Sequence, residues 1–217
     1  MKIRKLALLC VIFMAMNFIN RITGTFLIQP YHNKTIFNIS MMIPLITSFL
    51  YLLFFLALYR EFSAQQDLKM KRITLLPLAG SILSFLHQLR MILDLHDIEL
   101  VKIHTGYIWI LILPLLVTLT FICFLLVLHS VTRNRIQALA RATMMGVVGF
   151  GFTAIIHLYL LLNFILLSYK PMFLLIDRYL TILVLPLLFF SNVAVMYFFY
   201  FIYRHTESIT YLQEYRD

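Results

Sequence analysis

Long apolar runs separated by short polar connections set the pattern of this chain. The runs fall at about 5–28, 38–59, 73–93, 105–129, 142–168 and 175–203. Each reaches or exceeds the ~20 apolar residues that a helix needs to cross the hydrocarbon core of a bilayer. They are continuously apolar and do not alternate, which points to helices and excludes a transmembrane barrel. The pattern therefore predicts an all-α integral membrane bundle of six transmembrane helices, forming a single polytopic domain over residues 1–217. The opening stretch MKIRKLALLCVIFMAMNFINRI has the basic and apolar regions of a secretory signal but no clear small-x-small cleavage site. It reads as a retained first helix.

Four of the runs echo one another: MMIPLITSFL, TLLPLAGSIL, LILPLLVTLT and ILVLPLLFFS. Each carries a proline, at 44, 77, 114 and 186. A proline inside a helix frees a backbone carbonyl and bends the axis. Such bends build broken-helix binding sites in transporters, but membrane helices also tolerate proline without any such role. Half of the glycines lie together in GVVGFG, residues 146–151. With Ala142 they provide the small-residue spacing of a close helix contact, so the fifth helix is expected to be the most buried.

Composition strengthens the membrane reading. The chain is 62% hydrophobic and 12% charged, against the roughly half apolar and quarter charged of a soluble domain. The net charge of +9 could suggest nucleic acid, but the apolar content excludes it and the basic residues gather between the runs. Cys10 and Cys123 both sit in apolar runs and are read as small buried hydrophobes.

Charge placement predicts orientation. Lys2, Arg4, Lys5, Arg60, Lys69, Lys71, Arg72, Arg133, Arg135, Arg141, Arg204 and Arg216 fall on one side of the six-span topology. Only Lys34, Lys102, Lys170 and Arg178 fall on the other, which places both termini in the cytoplasm. The expectation is a multi-pass protein of the cell (plasma) membrane whose main partner is the lipid bilayer. Its tail, RHTESITYLQEYRD, offers a contact for a membrane partner subunit.

Polar side chains at membrane depth mark the candidate site, because ionisable groups there are costly and usually face the bundle interior. At 1.5 Å of rise per residue, His87 and His157 both lie roughly 20 Å from the basic side. Asn17, Asn20, Arg21, Arg90, Asn163, Asp177 and Arg178 lie in the same outer half. The expected ligand-binding set is Asn20, Arg21, His87, Arg90 and His157, lining an outward-facing polar pocket for a small polar or anionic molecule. Alternatively, Arg90 pairs with Asp94 and snorkels to the interface.

A second reading gives His87 and His157 as the two axial ligands of one b-type haem, since paired imidazoles at equal depth are what such a site requires. Interhelical hydrogen bonding would equally explain both histidines. A loop metal site from Asp94, His96, Asp97, Glu99, His104 and His32 lacks zinc-type spacing. No catalytic motif is present: H-E-x-x-H, G-x-S-x-G and the P-loop are all missing, and no acid lies deep in a span. The chain thus reads as a small-molecule or ion binding, transport, sensor or accessory membrane protein.

Overall fold

In a computed structural model the chain is all-helical. The structure describes residues 3–26, 34–95, 106–133, 136–167 and 173–205. Side chains near several helix ends, those of Arg21 and Asn163 included, lie outside what is described. The six helices are α1 (Ile3–Phe26), α2 (Lys34–Ala64), α3 (Leu68–Leu95), α4 (Gly106–Thr132), α5 (Gln137–Leu167) and α6 (Phe173–Arg204). All six are long and apolar enough to cross a membrane.

Several helices run one to two turns beyond the apolar runs on the basic side, because a hydrogen-bonded cap ends a helix and hydropathy does not. At the α2–α3 turn, Asp67 N–H donates to Phe62 O and Gln66 N–H donates to Ser63 O. This pattern caps the last carbonyls of α2, with Gln66 in the left-handed region at φ 54°. The Asp67 carboxylate then accepts the Met70 N–H at 3.0 Å and starts α3 five residues before its apolar run.

Each helix packs on its neighbours in the chain, and α6 packs on α1, so the six form a closed ring. Arg4 at the start of α1 lies over the ring of Tyr203 near the end of α6, 5.1 Å from its centroid. Both of these helix ends therefore share one end of the bundle. Arg60, Lys69, Lys71, Arg72, Arg133 and Arg141 sit at helix ends on that side too, making it a basic end.

The outer faces are apolar, and the interior combines a hydrophobic core with a set of buried polar groups. Ile12, Phe49, Leu86, Leu116, Ile155 and Phe190 are among many large hydrophobics exposed on the outer faces. Buried positions include Thr47, Ser48, Ser81, Thr118 and Ser191. That arrangement suits contact with a lipid bilayer, where apolar faces need no cover and polar groups do. Cys10 is fully buried, as expected, whereas Cys123 is exposed on the outer surface of α4.

The expectation that α5 is the most buried helix is not met. Its apolar window is 22% buried, against 33% for those of α2, α4 and α6. In a ring, every helix keeps an outer face, and that of α5 carries the exposed Met144, Met145, Val148, Leu158 and Leu162. Its small residues instead let neighbours approach along a narrow stripe. A Cβ on Gly149 would lie 2.7 Å from Val195 Cγ2 and 2.9 Å from the backbone oxygen of Ser191. One on Gly151 would meet nothing within 4 Å.

This contrast sets a paired prediction. Gly149→Ala must displace α6 backbone and should cost about 1–3 kcal/mol, as overpacking does. Gly151→Ala should be neutral or stabilising by up to about 1 kcal/mol, through helix propensity alone. Thermal unfolding of both variants in one detergent checks the opposite signs.

Candidate functional site

The ring encloses a cavity of about 210 Å³ to which all six helices contribute. Along the helices, Asn17, Thr47, Ser84, Thr118 and Ser191 lie roughly 18–24 Å from Arg4, Arg60, Arg72, Arg133 and Arg204, at 1.5 Å of rise per residue. The cavity thus lies near mid-height in a bundle whose helices are 24 to 32 residues long.

Its walls are built by the proline segments. Pro44 and Pro114 line it directly. The hydroxyls just after them also line it: Thr47 donates to Ile43 O at 2.8 Å, and Thr118 donates to Pro114 O at 2.7 Å. Ser81 repeats the second bond on α3, donating to Pro77 O at 2.7 Å, although it is buried off the cavity. After Pro186, Ser191 crosses to α5 and donates to Gly149 O at 2.9 Å. The same Ser191 hydroxyl bonds that of Thr153. Ser48 and Ser84 join α2 to α3 at 3.0 Å. A hydroxyl near each proline thus finds its partner inside the bundle, as a low-dielectric interior requires.

These commitments fix the chemistry facing inward. Once a hydroxyl proton is given to a carbonyl, only its oxygen lone pairs are left for the cavity. Asn192 uses an amide N–H on Leu188 O at 2.7 Å. Asn17 Oδ1 is buried without a hydrogen-bond partner. His157 Nδ1 lies 3.3 Å from Thr118 Oγ1, whose own proton is on Pro114 O, so the network assigns the imidazole proton to Nδ1. The cavity wall therefore carries both acceptors and donors, the latter including the amide N–H groups of Asn17 and Gln88 and the second one of Asn192. Among the described residues it contains no Asp, Glu, Lys or Arg.

Toward the basic end an aromatic floor closes the cavity. Tyr51 stacks on Phe199 at 5.4 Å, Phe55 stacks on Phe121 at 5.3 Å, and Phe54 meets Phe199 edge-on at 5.0 Å. Phe121 also touches Phe150 at 5.0 Å, so α2, α4, α5 and α6 all contribute. Such pairs each add about 0.5–1.5 kcal/mol beyond simple contact.

Of the four expected ligand-binding residues whose side chains are described, His157 lines this cavity and Asn20, His87 and Arg90 do not. Asn20 is half-buried one turn beyond Asn17, and its backbone oxygen accepts from Thr23. The side chain of Arg21 lies outside the described residues. Arg90 is exposed on α3, while Asp94, its expected partner, has no described side chain. His87 is half-buried on α3 but is not among the lining residues, where Ser84 and Gln88 represent that helix. A haem held by His87 and His157 needs both imidazoles on one cavity, and this cavity receives one of them. Its volume is also below the roughly 300–1,000 Å³ of pockets for drug-sized ligands.

The proposed loop ligands His32, His96, Asp97, Glu99 and His104 lie outside the described residues, as does the tail beyond His205. No group of three or more metal-ligating side chains occurs among those described. His129, at the basic end, is a brace between α4 and α5, donating from Nδ1 to Ala140 O at 2.9 Å. Thr47, Ser84, Gln88, Thr153 and Ser191 were not expected, and Asn17 was placed among the polar residues at membrane depth but not in the ligand-binding set. The repeated proline-hydroxyl segments were the signal that could have found the α2, α4 and α6 walls.

Comparison with protein-family models, curated proteins and solved structures gives no match. The cavity itself yields a prediction. Thr153→Ala and Ser191→Ala should each cost about 1 kcal/mol and should be non-additive, with a coupling of about 0.5–3 kcal/mol, because both hydroxyls belong to one network. A double-mutant cycle of unfolding free energies measures it.

Proposed function

We propose that the protein spans the cell membrane six times and binds a small, uncharged, hydrogen-bond-donating solute in the central cavity, as a carrier or sensor would. A polar wall with no charged side chain among the described residues carries this reading. Asn17, which lines the cavity, is the clearest element: its Oδ1 has no hydrogen-bond partner among the described residues, and a small turn of the amide would offer it to a donor inside. An anion would meet oxygen lone pairs and no cation there. The available space matches about seven water volumes, at ~30 Å³ each, and so fits a solute of a few heavy atoms with its waters.

Orientation follows from the positive-inside rule. The basic end faces the cytoplasm with both termini, and the cavity lies near the middle of the membrane. The aromatic floor then separates the bound solute from the cytoplasm, so passage through the protein would require Tyr51, Phe55, Phe121 and Phe199 to part.

Two measurements test this. Single cysteines introduced at Arg60 and Arg133, in a background without Cys10 and Cys123, should resist a membrane-impermeant thiol reagent added outside intact cells and react after permeabilisation. Labelling of both in intact cells reverses the orientation. For the ligand, thermal unfolding of the detergent-purified protein is followed against small neutral amides and polyols, with chloride and phosphate for comparison. A neutral solute present at 100 times its Kd should stabilise by about 2.7 kcal/mol. That gain should vanish in Asn17→Leu and survive in Arg90→Gln. Stabilisation by anions alone, lost in Arg90→Gln, would overturn the reading.

A further inference from the structure

A second concavity lies on the outside of the bundle, at the basic end between α3 and α4. It is a groove of about 720 Å³ lined by Leu68, Lys69, Arg72, Ile73 and Leu76 of α3 and Val127 of α4. Its chemistry is divided along its length. Lys69 and Arg72 lie one turn apart, at i and i+3, and both are exposed. Deeper along α3, Ile73 and Leu76 continue the groove with apolar surface, and Leu76 is itself exposed.

The neighbouring charges leave these two cations available. Lys71 turns to the other side, over the ring of Tyr59 on α2 at 5.5 Å. The Asp67 carboxylate accepts the Met70 N–H as the cap of α3, and Glu61 Oε1 accepts from Gln65 Nε2 at 3.1 Å. Among the described residues, no acidic side chain lines the groove.

We infer that this groove is a binding site for one anionic phospholipid, whose headgroup phosphate lies against Lys69 and Arg72 and whose acyl chain runs along Ile73, Leu76 and Val127. Charge complementarity selects this occupant. A paired cation above an apolar trough matches the two parts of a phospholipid, and a bilayer supplies it at the depth where the trough begins. A soluble anion would use only the cations and leave the trough uncovered. The site rests on the membrane-spanning reading given above, with the basic end at a headgroup layer. It does not depend on what the central cavity holds.

The test uses the full-length protein reconstituted in nanodiscs of phosphatidylcholine with one fifth phosphatidylglycerol, with native mass spectrometry to count lipids retained after release. Reconstitution itself reports on membrane insertion, so failure to incorporate counts against the spanning reading and is distinguishable from failure of the site. The unaltered protein should retain one phosphatidylglycerol in preference to phosphatidylcholine. Lys69→Gln with Arg72→Gln should lower that occupancy about 30-fold, as expected for loss of two cations near a membrane surface. Arg4→Gln with Lys5→Gln, elsewhere on the basic end, should leave it within about twofold. Leu76→Gln, which keeps both cations, should weaken retention by wetting the trough.

Equal loss in both double variants would mean a diffuse electrostatic layer and would overturn the site. So would unchanged retention in Lys69→Gln with Arg72→Gln. Displacement of the retained lipid by 10 mM inorganic phosphate would show a headgroup-only anion site and would likewise overturn it.

Discussion

Inside this bundle a polar group has no bulk water to turn to, and that constraint orders the structure. Prolines at 44, 77, 114 and 186 interrupt the ladders of α2, α3, α4 and α6. Around each interruption a hydroxyl donates to a nearby carbonyl, on the same helix for Thr47, Ser81 and Thr118, and across to α5 for Ser191. Pro44 and Pro114 line the cavity, and so do the hydroxyls of Thr47, Thr118 and Ser191 that follow the prolines of α2, α4 and α6. One local pattern thus supplies part of the wall and part of its chemistry. The acceptor character of those hydroxyls follows from how their protons are already used.

Two levels of the ring solve the packing problem differently. Near the basic end, phenylalanines from α2, α4, α5 and α6 fill the axis, and van der Waals contact holds them where lipid offers no hydrophobic drive. At the level of the cavity the axis is left open and the walls carry hydroxyls and amides. Gly149 permits the close α5–α6 approach that brings Ser191 within reach of the Gly149 carbonyl. A side chain at that position would weaken the wall as well as the helix contact.

The six helices were legible in the sequence because hydropathy reports lipid-length apolar segments directly. Their ends were less so: the Asp67 cap and the turn through Gln66 extend α3 and α2 past their apolar runs, and hydropathy does not register such bonds. The depth of the polar residues was legible too, since rise per residue converts position into height. Their direction around each helix was not, because it depends on which helices are neighbours in the ring. This is why Arg90 and His87, the conspicuous residues of α3, gave way to Ser84 and Gln88 on the cavity wall. A charged side chain on a membrane helix draws notice in a sequence, yet Arg90 lies five residues from the end of α3, where a long side chain can reach the interface without facing the cavity. Serine and threonine are ordinary in such helices and reveal their role only once their partners are known.

Ring closure has a consequence for assembly. Each of α2 to α5 packs on helices adjacent in the chain, so those contacts can form in the order of synthesis. The contact between α1 and α6 spans nearly the whole chain and must come last. Ser191 and Asn192 reach the cavity only on α6, and Asn17 faces them from α1. Until that seam shuts, the cavity is an open trough, so its enclosure depends on the closed ring and on no single pair of helices.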